Sequence, residues 1–177
     1  MADDAGALMS MIPGIDPDGA LYPIEKMAAH RAGALHLAVS IFVFDGPKLL
    51  IQQRAAGKYH CPGLWANSCC SHPHWGESPV VGARRRLAED LGLDLAVAAC
   101  GVLTYRADVG SGLVEHERVH VFRAEAEGAA VRPNPAEVME VRWALPADLI
   151  DEAGARPEHF APWFRIYLRR WADLGLD

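Results

Sequence analysis

The sequence predicts a single domain of the α/β type, more narrowly an α+β sandwich built on a mixed sheet. Its 177 residues fit one domain of ordinary size, and 51% of them are hydrophobic, enough for a sizeable core. Segments typical of strands and of helices are intermixed without a regular strand–helix–strand repeat. Residues 13–19 are rich in Pro, Gly and Asp, which favour turns. We therefore expect a flexible arm over residues 1–20 and the domain over residues 21–177.

The predicted strands are short runs rich in Val, Ile and aromatic residues, bounded by turn residues. A short amphipathic turn of helix over residues 23–30 precedes them, and a loop or irregular strand over residues 57–71 interrupts them. The strands are expected at residues 35–45, 48–54, 100–107, 113–124 and 138–143, with a hairpin turn at 110–112.

The best-delimited helix is predicted between Ser78 and Gly92. Ser78 is a favourable N-cap, Pro79 suits the first helical position, and Gly92 stands just past the end. Apolar residues at helical spacing give this helix an inner face: Val80, Ala83, Leu87 and Leu91. Two more helices are expected, over residues 146–153 and 161–174.

The charge balance and the apolar runs restrict the class of protein. A net charge of −6 argues against nucleic acid as a partner, although a few local Arg and Lys side chains can still hold a small anionic substrate. The sequence has no uncharged apolar stretch of about 18 residues, so no membrane-spanning helix is predicted. The acidic start, Met-Ala-Asp-Asp, is unlike a secretory signal, so we expect a cytoplasmic protein. The cysteines are then expected to be free thiols: Cys61, Cys69, Cys70 and Cys100.

Two glutamates lie at alternate positions of the strand predicted over residues 113–124. Side chains alternate across a strand, so Glu115 and Glu117 share the face of Val119 and Val121, which have the character of core residues. Two carboxylates on a core-directed face repel each other unless a cation or a proton lies between them. The segment therefore favours a metal or acid–base role about as strongly as an exposed polar face.

Histidines in three separate segments are candidate metal ligands. A single histidine is more often structural than a ligand, but His36 interrupts the apolar run of residues 35–39 and needs a polar partner there. Together with His30, His72 and the two glutamates, it would complete a five-donor site for a divalent transition metal or for magnesium. The sequence shows these donors without showing that they converge.

Residues 71–93 carry a spaced motif of charged residues. It is Ser71-x5-Glu77-x7-Arg85-Arg86-Leu87-Ala88-Glu89-Asp90-Leu91-Gly92-Leu93. This motif resembles the Nudix box, Gly-x5-Glu-x7-Arg-Glu-U-x-Glu-Glu-x-Gly-U, where U is a bulky aliphatic residue. It departs from the box at Ser71, Arg86 and Asp90. The same residues could also form an exposed helix with i,i+4 ion pairs, each contributing about 0.2–0.5 kcal/mol.

Further segments narrow the resemblance to one branch of the Nudix superfamily. In chain order they are EKMAAH at residues 25–30, LHLA at 35–38, WANSCCSHP at 65–73, YRA at 105–107 and EHE at 115–117. Together they look like the type 1 isopentenyl-diphosphate Δ-isomerases, over a span from about Leu21 to Trp163. The NSCCSHP segment is highly specific, and a degenerate Nudix box is usual in this branch. The resemblance implies a Nudix-like α/β/α sandwich and the isomerisation of isopentenyl diphosphate to dimethylallyl diphosphate in isoprenoid biosynthesis.

The resemblance also implies roles for individual side chains. One divalent metal, Mn²⁺, Zn²⁺ or Mg²⁺, would be held by His30, His36, His72, Glu115 and Glu117. Asp90 would stand where the family binds a second ion, Mg²⁺, together with the substrate diphosphate. Cys70 and Glu117 would be the acid–base pair, supported by Tyr105. Trp163 would cap the isoprene unit, and the diphosphate would contact Lys26, Arg54, Lys58 and Arg86.

The expected reaction adds a proton at one end of an alkene and removes one at C2, through a cation-like state. An alkene is a very weak base, so a carboxylic acid tuned by a metal suits one side and a thiol the other. Trp163 and Trp65 would offer the cation an attraction of about 2 kcal/mol when desolvated.

Three competing functions are compatible with parts of this pattern. The first is a Nudix hydrolase of a nucleoside or prenyl diphosphate, and Arg86 in place of a catalytic Glu counts against it. The second is an isomerase relative that acts on a modified prenyl diphosphate. The third is a metal-stabilised binding protein without turnover, which the joint presence of Cys70, Tyr105, Glu117 and Trp163 disfavours.

Overall fold

The sheet of this protein is organised around one strand, His36–Asp45, in a computed structural model that describes residues 10–176. In chain order the strands are β1 (Met11–Ile15), β2 (Leu21–Glu25), β3 (His36–Asp45), β4 (Lys48–Arg54), β5 (Trp65–Ala66), β6 (Cys69–Ser71), β7 (Ala98–Gly110), β8 (Leu113–Glu125) and β9 (Val138–Ala144). The α-helices are α1 (Lys26–Ala32), α2 (Pro79–Leu91), α3 (Pro146–Ala155) and α4 (Pro162–Arg169), with 3-10 turns at Pro157–His159 and Trp171–Leu174.

The two edges of β3 pair with different partners. One edge runs parallel to β8, from His36 opposite Glu117 to Phe44 opposite Glu125. The other edge pairs antiparallel with β1, β6 and β4 at successive positions. β7 extends the sheet beyond β8, and β9 extends it beyond β4. The sheet is therefore mixed, as predicted, and β3 has β6 and β8 on its two sides.

The side chains of β3 alternate between two hydrophobic cores. Val39 and Ile41 pack in one core with Leu87 of α2. Phe42 packs in the other core with Phe164 of α4. Because successive side chains of a strand point to opposite faces, helices cover both faces of the sheet. This arrangement confirms the predicted α/β/α sandwich.

Residues 10–20 differ from the arm predicted there. Met11–Ile15 forms β1, which pairs with β2 and β3. Ile12 and Ile15 are buried, so this segment closes one edge of the core in spite of its turn-forming residues. Residues 1–9 of the predicted arm lie outside the described part of the chain.

The bounds of one of the four predicted helices agree with the sequence, and those of the other three differ. The helix α3 ends at Ala155, two residues later than predicted. Pro23 lies in β2, and α1 begins at Lys26, where the Glu25 carboxylate accepts two backbone N–H groups of the first turn. The helix α2 has its predicted bounds and ends at Gly92, whose φ of 64° is left-handed. The last helix ends at Arg169, and a 3-10 turn replaces its predicted continuation. No helix within residues 10–176 is long and apolar enough to cross a membrane.

Candidate active site

A polar cleft of about 400 Å³ opens beside β6 and β8. Most of the predicted site residues line it: Lys26, Arg54, Lys58, Cys70, His72, Arg86, Tyr105, Glu115, Glu117 and Trp163. His30 and His36 are fully buried and pack against His72, with ring centroids 5.2 and 4.9 Å from its ring. The fold therefore brings together segments that are far apart in the sequence.

Two of the three imidazoles, those of His30 and His36, present an Nε2 lone pair toward the cluster. Nδ1 of His30 lies 2.7 Å from the backbone carbonyl of Lys26, and Nδ1 of His36 lies 2.8 Å from that of Ala34. A carbonyl oxygen only accepts, so each of these rings has its proton on Nδ1 and a lone pair on Nε2. Nε2 of His30 is buried and has no hydrogen-bond partner within residues 10–176. An unpartnered lone pair at this depth is suited to a metal.

Glu117 completes the cluster. Its Oε1 lies 3.0 Å from Nε2 of His72 and 3.5 Å from Nε2 of His36. The ligand atoms of His30, His36, His72 and Glu117 all lie within 4.8 Å of one another. Backbone carbonyls that hold the far side of a ligating imidazole are the usual second layer of a metal centre. The donors and their supports therefore fit one divalent metal ion.

The protonation states of these groups differ. Burial lowers the pKa of His30 and of His72, so both imidazoles are neutral, the form that binds a metal. Burial raises the pKa of Glu115 well above its usual range, and the charge of Glu117 adds to this effect. Burial acts in the same direction on Glu117, but its contacts with the His36 and His72 imidazoles outweigh it and hold its pKa well below the usual range. The two carboxylates therefore share about one negative charge.

Tyr105 joins the two carboxylates. Its hydroxyl lies 2.8 Å from Oε2 of Glu115 and 2.8 Å from Oε2 of Glu117. A hydroxyl has one proton to donate, so it donates to one carboxylate and accepts from the other, which must be protonated. Without a cation, the raised pKa of Glu115 makes Glu115 the member that holds the proton, and a bound metal ion would take the place of that proton. Tyr105 thus holds the pair in a state with a single shared charge.

Cys70 and Glu117 lie on the two strands that flank β3. Cys70 is opposite Ser40 on β6, whereas Glu117 is opposite His36 on β8. Burial raises the pKa of Cys70 to about 12, so its side chain is a neutral thiol near pH 7. One wall of the cleft therefore holds a proton on sulfur, and the other wall carries an ionised carboxylate.

Basic side chains gather at the same cleft. Burial lowers the pKa of Lys26 to about 8, and the positive charges of Lys58 and Arg86 reinforce the effect. Such a concentration of positive charge is suited to a polyanion. Arg54 lies deeper, with its guanidinium 5.0 Å from the centre of the Trp163 ring. The cleft therefore has a cationic part next to a buried aromatic wall.

Asp90 does not line the cleft. Its Oδ1 lies 2.6 Å from the Arg86 guanidinium, and its Oδ2 accepts a hydrogen bond from the thiol of Cys69 at 3.3 Å. The carboxylate is buried, and both of its oxygens face protein neighbours. The magnesium role expected for Asp90 stays a prediction.

Three residues at or beside the cleft were absent from the sequence-based prediction: Tyr59, His60 and Glu137. Tyr59 and His60 line the cleft, and Glu137 accepts hydrogen bonds from Lys58 and Arg86. Tyr59 and His60 lie in an irregular loop after β4, where no periodicity indicates which way a side chain points. The feature of the sequence that could have indicated Tyr59 and His60 is their position directly after Lys58, a predicted diphosphate contact.

Residues 34–164 match the family model described as the NUDIX domain. The "Isopentenyl-diphosphate Delta-isomerase" of Rhodobacter capsulatus is 50% identical over 159 residues, which cover 89% of this chain and 90% of that protein. Proteins of the same name from Cereibacter sphaeroides and Dinoroseobacter shibae are each 54% identical, covering 85% and 88% of this chain and 86% and 90% of those proteins. The chain belongs to the isopentenyl-diphosphate Delta-isomerase family.

Solved structures agree with this isomerase-family chain in fold. DR0079 from Deinococcus radiodurans has a TM-score of 0.74 at 16% identity, covering 90% of this chain and 98% of that one. The Nudix hydrolase RenU from M. smegmatis has a TM-score of 0.58 at 22% identity, covering 90% and 91%. At these identities the likeness concerns the fold alone, and it confirms the predicted Nudix-like architecture of this isomerase-family member.

Proposed function

We propose that the protein converts isopentenyl diphosphate to dimethylallyl diphosphate, with Cys70 and Glu117 as the acid–base pair and Tyr105 as the support of Glu117. The observation that carries the proposal is the presence, in one cleft, of a neutral Cys70 thiol and an ionised Glu117 carboxylate on strands that flank β3. One group holds a proton and the other can accept one. A reaction that adds one proton and removes another needs such a pair.

The proposed reaction moves a double bond without gain or loss of atoms. A proton forms a C–H bond at the terminal CH₂ carbon, and the π electrons used in that bond leave positive charge at C3. Loss of a proton from C2 returns an electron pair, which forms the double bond between C2 and C3. Trp163 is 1% exposed and forms the apolar wall of the cleft, so it would keep water from the cationic carbon.

The proposed metal ligands are His30, His36, His72, Glu115 and Glu117. The mutual distances of His30, His36, His72 and Glu117 and the backbone anchors of His30 and His36 support this assignment. Glu115 lies within the same distance of His30. The mixture of imidazole and carboxylate donors suits Mn²⁺ or Zn²⁺, and Mg²⁺ with weaker selectivity. When bound, a divalent ion supplies positive charge that strengthens the acidity of the groups it contacts.

We further propose that Lys26, Lys58 and Arg86 bind the substrate diphosphate, with Mg²⁺ as its companion ion and Arg54 at the deeper end. The positive charge concentrated around Lys26 supports this role. Binding the diphosphate would hold the small alkene in register with Cys70 and Glu117, which removes the entropic cost of aligning the reacting atoms.

The test is an incubation of purified protein with isopentenyl diphosphate, Mg²⁺ and Mn²⁺ in D₂O, followed by proton and phosphorus NMR. We expect dimethylallyl diphosphate that carries deuterium, with no release of inorganic phosphate. Phosphate release would indicate a hydrolase, and bound metal without deuterium incorporation would indicate a binding protein without turnover.

Variants of the acid–base pair test the residue assignment. Cys70→Ala and Glu117→Gln should each lower kcat by about 10²–10⁴-fold, because each removes one proton-transfer group. The matched controls are Cys100→Ala on β7 and Glu125→Gln at the exposed end of β8, which should retain wild-type turnover. Full activity in Cys70→Ala or in Glu117→Gln would refute the pair.

A further inference from the structure

His60 is a buried imidazole at the cleft that the proposed chemistry does not use. One of its nitrogens, Nδ1, lies 3.2 Å from the Arg54 guanidinium. Arg54 also donates to the backbone carbonyl of His60, from Nη2 at 3.0 Å and from Nε at 3.3 Å. The other ring nitrogen, Nε2, lies 3.4 Å from Oε1 of Glu115. The ring therefore bridges Arg54 and Glu115.

The contact with Arg54 determines the tautomer of His60. A guanidinium has N–H donors and no acceptor, so Nδ1 of His60 must accept. The proton of the ring is then on Nε2, where it faces Glu115. This is the opposite tautomer to those of His30 and His36, whose Nδ1 protons are held by backbone carbonyls and whose Nε2 lone pairs are free for a metal.

Glu115 is held from two sides by this arrangement. The Tyr105 hydroxyl reaches Oε2 at 2.8 Å, and Nε2 of His60 faces Oε1. Donor atoms of His30, His60 and Glu115 lie within 4.8 Å of one another, so His60 is close enough to be taken for a ligand. Its tautomer directs a proton, not a lone pair, toward Glu115.

We infer that His60 is a positioning residue that fixes Glu115 from Nε2 while Arg54 fixes His60 at Nδ1. Glu115 is a proposed metal ligand and Arg54 a proposed diphosphate contact, so the inference rests on the proposed function. The contacts from Arg54 to His60 and from His60 to Glu115 connect the proposed diphosphate-binding end of the cleft with the proposed metal site. Each ring nitrogen of His60 then has its own contact, Nδ1 with Arg54 and Nε2 with Glu115, and the two contacts can be tested separately.

Two amide substitutions separate the two nitrogens of His60. In His60→Gln the side-chain amide reaches the place of Nε2 and can still donate to Glu115, but Arg54 loses its acceptor at Nδ1. In His60→Asn the amide oxygen takes the place of Nδ1 and can still accept from Arg54, but Glu115 loses its donor. His120→Gln on β8, half-buried and outside the cleft, is the control.

Two binding measurements, neither of which requires turnover, test these two contacts of His60. Mn²⁺ affinity, from electron paramagnetic resonance of the free ion, should fall about 10–100-fold in His60→Asn, the effect expected when the support of a ligand is lost. It should change by less than about 3-fold in His60→Gln. Affinity for inorganic diphosphate, from calorimetry, should show the reverse order, with the larger loss in His60→Gln. Melting curves of both variants establish that they are folded.

A wild-type Mn²⁺ affinity in His60→Asn would overturn the positioning role. Equal loss of Mn²⁺ affinity in both variants, with one imidazole nitrogen fewer in the Mn²⁺ coordination by pulsed resonance, would also overturn it, because His60 would then be a ligand. The two affinities could change as expected, with Mn²⁺ binding weakened mainly in His60→Asn and diphosphate binding mainly in His60→Gln, while the wild type forms no dimethylallyl diphosphate. In that case the proposed function fails and the role of His60 stands.

Discussion

Arg85 donates two hydrogen bonds to the carboxylate of Glu77, at 2.9 and 2.8 Å. Glu77 also accepts the backbone N–H of His74 at 2.8 Å, and Arg85 reaches the carbonyl of His72 at 3.4 Å. Glu77 and Arg85 both belong to the Nudix-like motif, so here the motif ties the segment that carries His72 to α2.

Glu77→Gln should lower the free energy of unfolding by about 1–2 kcal/mol, because charge-assisted hydrogen bonds in a half-buried site are replaced by weaker neutral ones. Urea denaturation near pH 7 measures the change. The control is Glu89→Gln, which alters the more exposed partner of Arg85 and should cost less than about 0.5 kcal/mol. Equal losses in the two variants would contradict the anchoring role of Glu77.

The contact between Arg85 and Glu77 makes the stability of the protein depend on pH, and the sign of this dependence follows from the pKa of Glu77. The hydrogen bond from Arg85 lowers the pKa of Glu77 below its ordinary value of 4.5. A carboxylate with a lowered folded-state pKa adds stability above its unfolded pKa and loses that contribution as the pH falls through the folded value. The stability difference between wild type and Glu77→Gln should therefore be full near neutral pH and shrink below pH 4.5. A difference that grows on acidification would refute the assignment.

Tyr105→Phe should lower kcat about 10–100-fold, because Glu115 and Glu117 lose the hydroxyl between them and both must reorient. Steady-state kinetics with isopentenyl diphosphate measure the effect. Tyr167→Phe is the matched control, since that buried hydroxyl bonds Ser40 and not the carboxylates. It should cost about 1 kcal/mol of stability and leave kcat near wild type. Similar kcat losses in both variants would argue against a specific role for Tyr105.

Removing metal with EDTA should lower the melting temperature, and added Mn²⁺ should restore it. A ligand that binds the folded state at 100 times its Kd adds about 2.7 kcal/mol of stability. His36→Ala should abolish the Mn²⁺-dependent shift because it removes a buried donor, whereas His159→Ala, on the exposed surface, should retain it. A full Mn²⁺ shift in His36→Ala would contradict the proposed centre.

Gly92→Ala should destabilise the protein by about 1–2 kcal/mol. Gly92 has a left-handed φ of 64°, and a Cβ there would lie 3.0 Å from Arg132. Gly154→Ala, within α3 and with no neighbour within 4 Å of the added Cβ, should instead stabilise by about 0.5–1 kcal/mol. Thermal unfolding measures the change in the free energy of unfolding of both variants. A change of the same sign in both would contradict these predictions.

Local sequence rules predicted the features that depend on neighbours along the chain. Pro79 and Gly92 delimit α2 because the first helical turn tolerates a missing N–H and the C-terminus accepts a left-handed residue. The alternation of β8 placed Glu115 and Glu117 on the buried face with Val119, as observed, since the period of a strand is two.

Features that depend on tertiary pairing escaped those rules. Pro13 and Gly14 predicted a turn, yet the segment is a strand because β2 and β3 supply its hydrogen-bond partners. His60 lies in a loop, where its direction depends on Arg54 and not on any periodicity. A sequence pattern predicts which face of a strand or helix a side chain occupies. The conformation and contacts of these positions depend instead on residues that are distant in the sequence.

The parallel pairing of β3 with β8 joins segments about eighty residues apart along the chain. Closing so long a loop costs chain entropy before the new contacts compensate for it, so pairings of this kind form slowly. His36 and Glu117 meet only at that step. The proposed metal donors therefore depend on a long-range contact, and a chain in which β3 and β8 were unpaired would lack the complete donor set.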